Sequence, residues 1–151
     1  IELMVWLKLK AVGLAGAGAL LPHQLSGGMK KRAAIARAMA LDADILVFDE
    51  PSAGLDPIVA AGIDELILFL KRAFGMTVLV VTHTMESALR IADRLAMLHE
   101  GGLIAVGDRE HFFANDHPRL RQFLDRQPER VSGDAAEGFA SSFLRWIDHE
   151  H

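Results

Sequence analysis

The sequence predicts an α/β fold, a parallel sheet with crossover helices, and two observations carry that expectation. The runs DILVFD at 44–49 and MTVLVVT at 76–82 have the length and apolar content of buried strands. Helical periodicity fills the interval between them and flanks both, so the order helix, strand, helix, strand, helix requires crossover connections.

In chain order, residues 1–14 place Leu3, Met4, Leu7 and Val12 at near-helical spacing, which predicts an amphipathic helix broken by Gly13, Gly16, Gly18 and Pro22. A second helix is expected over 28–40, opening directly after Ser26-Gly27-Gly28. The continuous apolar run ending in Asp49 predicts a parallel strand covered on both faces, with its acidic end at the carboxyl edge of the sheet. Pro57 suits the first turn of a helix running to about Phe74, with Gly75 as its stop. After the second strand, residues 85–94 continue as helix, and LAMLHEGGLIAVGD predicts a hairpin around Glu100-Gly101-Gly102. Asp108 can cap a helix through Ala114, and Pro118 can start another through Asp125. Residues 127–138 read as a polar linker, followed by a short amphipathic helix or frayed tail.

Composition narrows the function. The chain has 151 residues, 51% of them hydrophobic, enough for one compact core. A net charge of -4 gives no general attraction for nucleic acid, and Lys30, Lys31, Arg32 and Arg37 lie on one helix without interleaved aromatics, which fits a solvated or partner-facing surface better. Without cysteine there is no disulfide framework and no thiolate chemistry. The longest uncharged small-apolar stretch, Ala11 to Leu21, falls short of the ~20 residues of a membrane span, so no direct membrane insertion is expected. Lys8 and Lys10 interrupt the opening segment, which does not look like a signal peptide, and a start other than Met is compatible with a fragment.

Three clusters carry candidate chemistry. Ser26-Gly27-Gly28 before a helix offers close backbone approach, unpaired N–H groups and the positive end of a dipole, all of which favour phosphate; taken alone, it is also what a capped turn looks like. Asp49 at the end of a buried strand sits where open α/β sheets bind ligands and can hold Mg²⁺. Glu50, one residue on and so on the other side of the pleat, can polarise a water for attack on phosphorus, although the pair can also be solvated turn residues before Pro51. His83 ends the second strand and, if the strands are neighbours, shares the edge with Asp49 and can hydrogen-bond a terminal phosphate.

Together these residues resemble the C-terminal half of the ATP-binding cassette (ABC) transporter ATPase. Leu25 to Met29 is similar to the signature motif, with Met in place of the usual Gln; Ile45 to Asp49 with Glu50 resembles Walker B and its catalytic glutamate; Ser52 to Asp56 resembles the D-loop, and Thr82-His83 the switch histidine. LSGGM, DEPSAGLDPI and HPRLRQFLD are more narrowly similar to the ATPase subunits of Mla-type phospholipid transporters. The resemblance implies a P-loop NTPase-like ABC ATPase fold lacking its N-terminal part, with ATP and Mg²⁺ as cofactors. It also implies a second ATPase subunit in a homodimer-like sandwich and membrane-spanning permease subunits, at the cytoplasmic face of the inner membrane. On that basis Glu50 and His83 are the catalytic residues and Asp49 holds the metal. Ser26, Gly27 and Gly28 contact the partner's nucleotide, and Asp56 bridges the two sites.

A Walker A loop reads G-x-x-x-x-G-K-[ST], and none of the five lysines, at 8, 10, 30, 31 and 71, is followed by Ser or Thr. The chain is therefore expected to be inactive alone. The domains expected are 1–126, the C-terminal portion of the ATPase domain, and 127–151, a linker and short helix. Within the first, 1–41 is the helical subdomain with the signature and 42–126 runs from Walker B to the end of the core. The alternative is a non-catalytic ABC-like module that lends its signature face to a complete ATPase. A DNA-repair ATPase would need long heptad segments, and the sequence has none.

Overall fold

The computed structural model describes residues 1–126, which form α1 (Glu2–Ala11), α2 (Gly27–Met39), β1 (Ile45–Asp49), α3 (Pro57–Phe74), β2 (Thr77–Val81), α4 (Met85–Ile91), β3 (Leu95–His99), β4 (Gly102–Gly107), α5 (Arg109–Ala114) and α6 (Pro118–Leu124). A short 3₁₀ turn, Pro22–Gln24, precedes α2. The linker and tail expected over 127–151 lie outside the described residues. The chain divides into two compact units, Ile1–Leu95 and Ala96 onward.

In the first unit β1 and β2 pair in parallel, with Leu46 opposite Val78, Phe48 opposite Val80 and Asp49 opposite Val81. The crossover between them is α3, whose ends are fixed as the sequence suggests and by one further device. Asp56 caps its N-terminus, the Oδ1 accepting from the N–H groups of Ile58 and Val59 at 3.1 Å each, and Gly75 ends it with a left-handed φ of 64° that glycine adopts without penalty. Leu46 and Phe48 of β1 join Ile35, Ala36 and Met39 of α2, Ile63, Leu66, Ile67 and Leu70 of α3, and Val12, Leu14 and Ile91 in one core.

Coverage of the sheet differs from the sequence reading. The first strand was expected to be covered on both faces and the second to be buried, yet Ile45 (59%), Val47 (63%), Leu79 and Val81 are exposed. Successive residues of a strand point to opposite faces, and in the described residues the core helices pack only on the face that carries Leu46 and Phe48. Helix α1 is a second correction. It forms, but Leu3, Met4, Val5, Trp6 and Leu7 are all exposed and none of its residues is fully buried; only Leu9 and Ala11 near its end pack, partly buried, against the core. Its apolar residues run almost continuously from 3 to 7 and so encircle the helix.

The basic residues of α2 also divide otherwise than expected. Lys30 and Arg37 are exposed. Arg32 instead turns inward, donating from its two terminal nitrogens to the carbonyls of Val12 at 3.0 Å and Gly62 at 3.3 Å, so it joins the segment after α1 to α3.

In the second unit β3 and β4 form the expected hairpin, turned by Glu100 (φ 49°) and Gly101 (φ 75°). Both turn residues have positive φ, the geometry that matches the strands' own twist. Asp108 caps α5, its Oδ1 accepting from the His111 N–H at 2.9 Å, and Ala105, Phe112 and Leu120 are buried.

Candidate functional site

The parallel register carries the chemistry-bearing residues to one place. Asp49 and Val81 lie side by side at the carboxyl edge, and the Glu50 N–H extends the ladder by donating to the Val81 carbonyl at 2.9 Å. Glu50 then leaves the sheet with a φ of 45°. This is the left-handed region, rarely used by side chains of this size and held only where the surroundings over-determine it. The divergence of Asp49 and Glu50 that the sequence reading drew from the pleat therefore comes from a turn.

The surroundings of Glu50 account for that conformation. Its Oε1 accepts from the His83 N–H at 2.9 Å and lies 2.7 Å from His83 Nδ1, while its Oε2 accepts from the Thr82 hydroxyl at 3.3 Å. The Thr82 hydroxyl in turn accepts from the Thr84 N–H at 3.1 Å. The hydrogen bond with the His83 side chain, with smaller help from its N–H and charge and from Thr82, holds the Glu50 carboxyl below its ordinary value. Glu50 is thus an ionised acceptor near neutral pH, better suited to orienting a water than to keeping a proton taken from it.

Asp49 is exposed at the edge of the sheet. No cluster of three or more acidic or histidine side chains that could hold a metal occurs among the described residues.

The Ser26-Gly27-Gly28 segment belongs to another element, the start of α2. Ser26 caps α2, its hydroxyl oxygen accepting from the Met29 N–H at 3.3 Å, and the helix starts at Gly27. The N–H groups of Gly27 and Gly28 therefore belong to the first turn, which a helix leaves without internal partners. Gly28 has a second reason for its identity that the sequence did not reveal: a Cβ there would meet Val59 Cγ1 of α3 at 2.6 Å, and one on Gly27 would meet Leu55 at 3.4 Å. The Gly27-Gly28 helix start is thus packed against Leu55 and the first turn of α3. Gly28→Ala is expected to lower stability by about 1–2 kcal/mol through overpacking, measured as a fall in the urea midpoint; an unchanged midpoint would show that Val59 yields freely.

Asp56 is exposed and acts as the α3 cap, a role that the sequence reading, intent on the bridge between sites, did not assign. Sequence reasoning also missed Asp64. It is 4% exposed, its Oδ1 has no hydrogen-bond partner, and it borders a cleft of roughly 350 Å³ shared with Ser52, Gly54, His83 and Ser87. The signal was present, since Asp64 falls among Ile63, Leu66 and Ile67 on the buried stripe of α3.

A parallel strand ending in Asp-Glu, a histidine just beyond the next strand on the glutamate, and a Ser-Gly-Gly helix start packed on Leu55 and Val59 are the structural features against which the comparisons with known proteins are set. The chain belongs to the ABC transporter ATP-binding family and carries the C-terminal part of the domain. The ABC transporter family model matches residues 4–53. The intermembrane phospholipid transport system ATP-binding protein MlaF of Escherichia coli K12 is 48% identical over 121 residues, 80% of this chain and 45% of the relative. MlaF of Haemophilus influenzae is 47% identical over 124 residues, 82% and 47% of the two chains. The probable ribonucleotide transport ATP-binding protein mkl of Mycobacterium leprae is 42% identical over 118 residues, 78% of this chain and 34% of the relative. The chain spans about half the length of the MlaF relatives it matches. Among solved structures, the ADP conformation of MJ1267, an ATP-binding cassette of an ABC transporter, superposes with a TM-score of 0.71 at 29% identity, over 80% of this chain and 48% of that one. CbiO1 of Clostridium perfringens gives 0.70 at 30% identity, over 82% and 49%.

Proposed function

We propose that these residues belong to an ATPase subunit that drives phospholipid transport across the cell envelope, working at the cytoplasmic face of the inner membrane against permease subunits. The observation that carries the ATPase reading is the Glu50–His83–Thr82 cluster beside Asp49 at the carboxyl edge of a parallel sheet. The phospholipid reading is supported by the higher identity to MlaF than to mkl. No helix among the described residues is long and apolar enough to cross a membrane.

In this reading Asp49 holds Mg²⁺, which neutralises phosphate charge when bound with ATP. Glu50 orients the attacking water, His83 presents its free ring nitrogen to the terminal phosphate, and Thr82 fixes the second carboxylate oxygen. Ser26, Gly27 and Gly28 meet the nucleotide of a second ATPase subunit through first-turn N–H groups, and Asp56 stands between the two sites. Residues 1–41 act as the helical subdomain and 42–126 as the remainder of the catalytic core.

The 151 residues contain no G-x-x-x-x-G-K-[ST]. The polypeptide by itself is therefore expected to show no Mg²⁺-dependent hydrolysis and no rise in melting temperature with ATP. Joined behind a segment carrying such a loop, the same residues are expected to hydrolyse ATP at a rate that Glu50→Gln lowers by roughly 100-fold or more. Hydrolysis indifferent to Glu50→Gln in that joined chain would overturn the catalytic assignment. If instead the chain only lends its exposed Ser26 face to a complete ATPase, adding it to one raises hydrolysis in a Ser26-dependent way.

A further inference from the structure

We propose that Lys31 is a positioning residue for Glu50, holding from the signature helix the turn that aims the Glu50 carboxylate. The Lys31 ammonium donates to the Glu50 backbone carbonyl at 3.0 Å, in a partly buried setting. The same carbonyl accepts from the Ala53 N–H at 3.2 Å, so both of its acceptor directions are used. Glu50 has a strained φ of 45°, a conformation that persists only where surrounding contacts hold it, and from this turn its side chain meets His83 and Thr82. A charged donor on a carbonyl makes a stronger hydrogen bond than a neutral one, and a half-buried one is screened less by solvent. Lys31 lines a groove of about 270 Å³ together with Ile35 of α2 and Phe48, Asp49 and Pro51 at the end of β1.

The consequence follows from the helix that supplies it. Lys31 and the cap Ser26 belong to one rigid element, so a displacement of α2 at its N-terminus moves the ammonium against the Glu50 carbonyl. On the function proposed above, on which this significance rests, the nucleotide sensed by the signature is the partner's and Glu50 serves the chain's own. Lys31 is then a direct link between the two, made by one hydrogen bond.

The test uses the 151-residue chain, ¹⁵N-labelled, as wild type and as Lys31→Met, Lys31→Arg and Glu50→Ala. The reporter is the His83 amide, which donates to Glu50 Oε1. In Lys31→Met the His83 and Thr82 amide resonances are expected to move most of the way to their positions in Glu50→Ala. The His83 amide is also expected to exchange about five to ten times faster, the loss of roughly one hydrogen bond. Lys31→Arg, which keeps a charged donor, is expected to stay within about twofold of wild type. A role confined to anchoring α2 would shift the melting temperature and leave the His83 amide where it was, and that result overturns the proposal. Should Lys31→Met fail to fold, Lys31→Gln is read in the same way, with an unmoved His83 amide again decisive against it. ATP hydrolysis independent of Glu50 would remove the catalytic reading and leave this geometric result standing.

Discussion

Arg32→Ala is expected to destabilise the first unit by about 2–4 kcal/mol, the cost of two charge-assisted hydrogen bonds and of the carbonyls left behind. The carbonyls of Val12 and Gly62 accept from the guanidinium, and Val12 itself is fully buried. Space around the guanidinium is tight, since a Cβ on either Gly13 or Gly62 would lie 3.2 Å from one of its nitrogens. Water cannot simply replace a planar group that fits between two glycines. Thermal unfolding should show a fall of roughly 5–15 °C. Arg32→Lys is expected to recover less than half of it, because an ammonium cannot span both carbonyls as the planar fork does. A fall under about 2 °C in Arg32→Ala would mean the fork contributes little beyond its packing.

Asp64→Asn is expected to stabilise the protein at neutral pH, by about 1 kcal/mol, because the amide fills the same space without a charge to desolvate. Burial pushes the Asp64 carboxyl above its ordinary value, and Glu65 and Glu86 push the same way; hydrogen bonding from Ser87 and the Arg90 charge oppose them. For an acid raised in the folded state, the associated stability is fully present below the unfolded value of 3.8 and is lost as pH rises through the folded one. Wild type should therefore weaken relative to Asp64→Asn as pH rises above about 4, and the two should converge in acid. Melting curves between pH 4 and 8 read this directly, and parallel curves across that range would contradict it.

The elements that carry the candidate site are legible in the sequence. Ser26-Gly27-Gly28, Asp49-Glu50 and His83 each ended or began an element that local rules recognise: a capped helix start, and two apolar runs closed by polar residues. The sequence reading put His83 on the edge with Asp49 if the strands were neighbours; β1 and β2 do pair, and His83 there meets Glu50, a contact the reading did not name. What it misjudged were residues whose environment is set by distant segments. Lys31 and Arg32 read as a solvated face because periodicity alone cannot say where a long side chain ends, and their partners lie 19 to 30 positions away.

The sequence by itself determined which segments become helix or strand, where α3 starts and stops, and which residue types stand at the carboxyl edge, because these depend on periodicity, caps and glycine conformations within a few residues. Only the tertiary structure decided that Glu50 is turned out of the sheet and gripped by His83, Thr82 and Lys31, that Gly28 makes room for Val59, and that Asp64 is buried without a full set of partners. Those are properties of contacts between chain segments far apart in sequence. Their energies come from burial and hydrogen-bond satisfaction, which exist only once the segments have met.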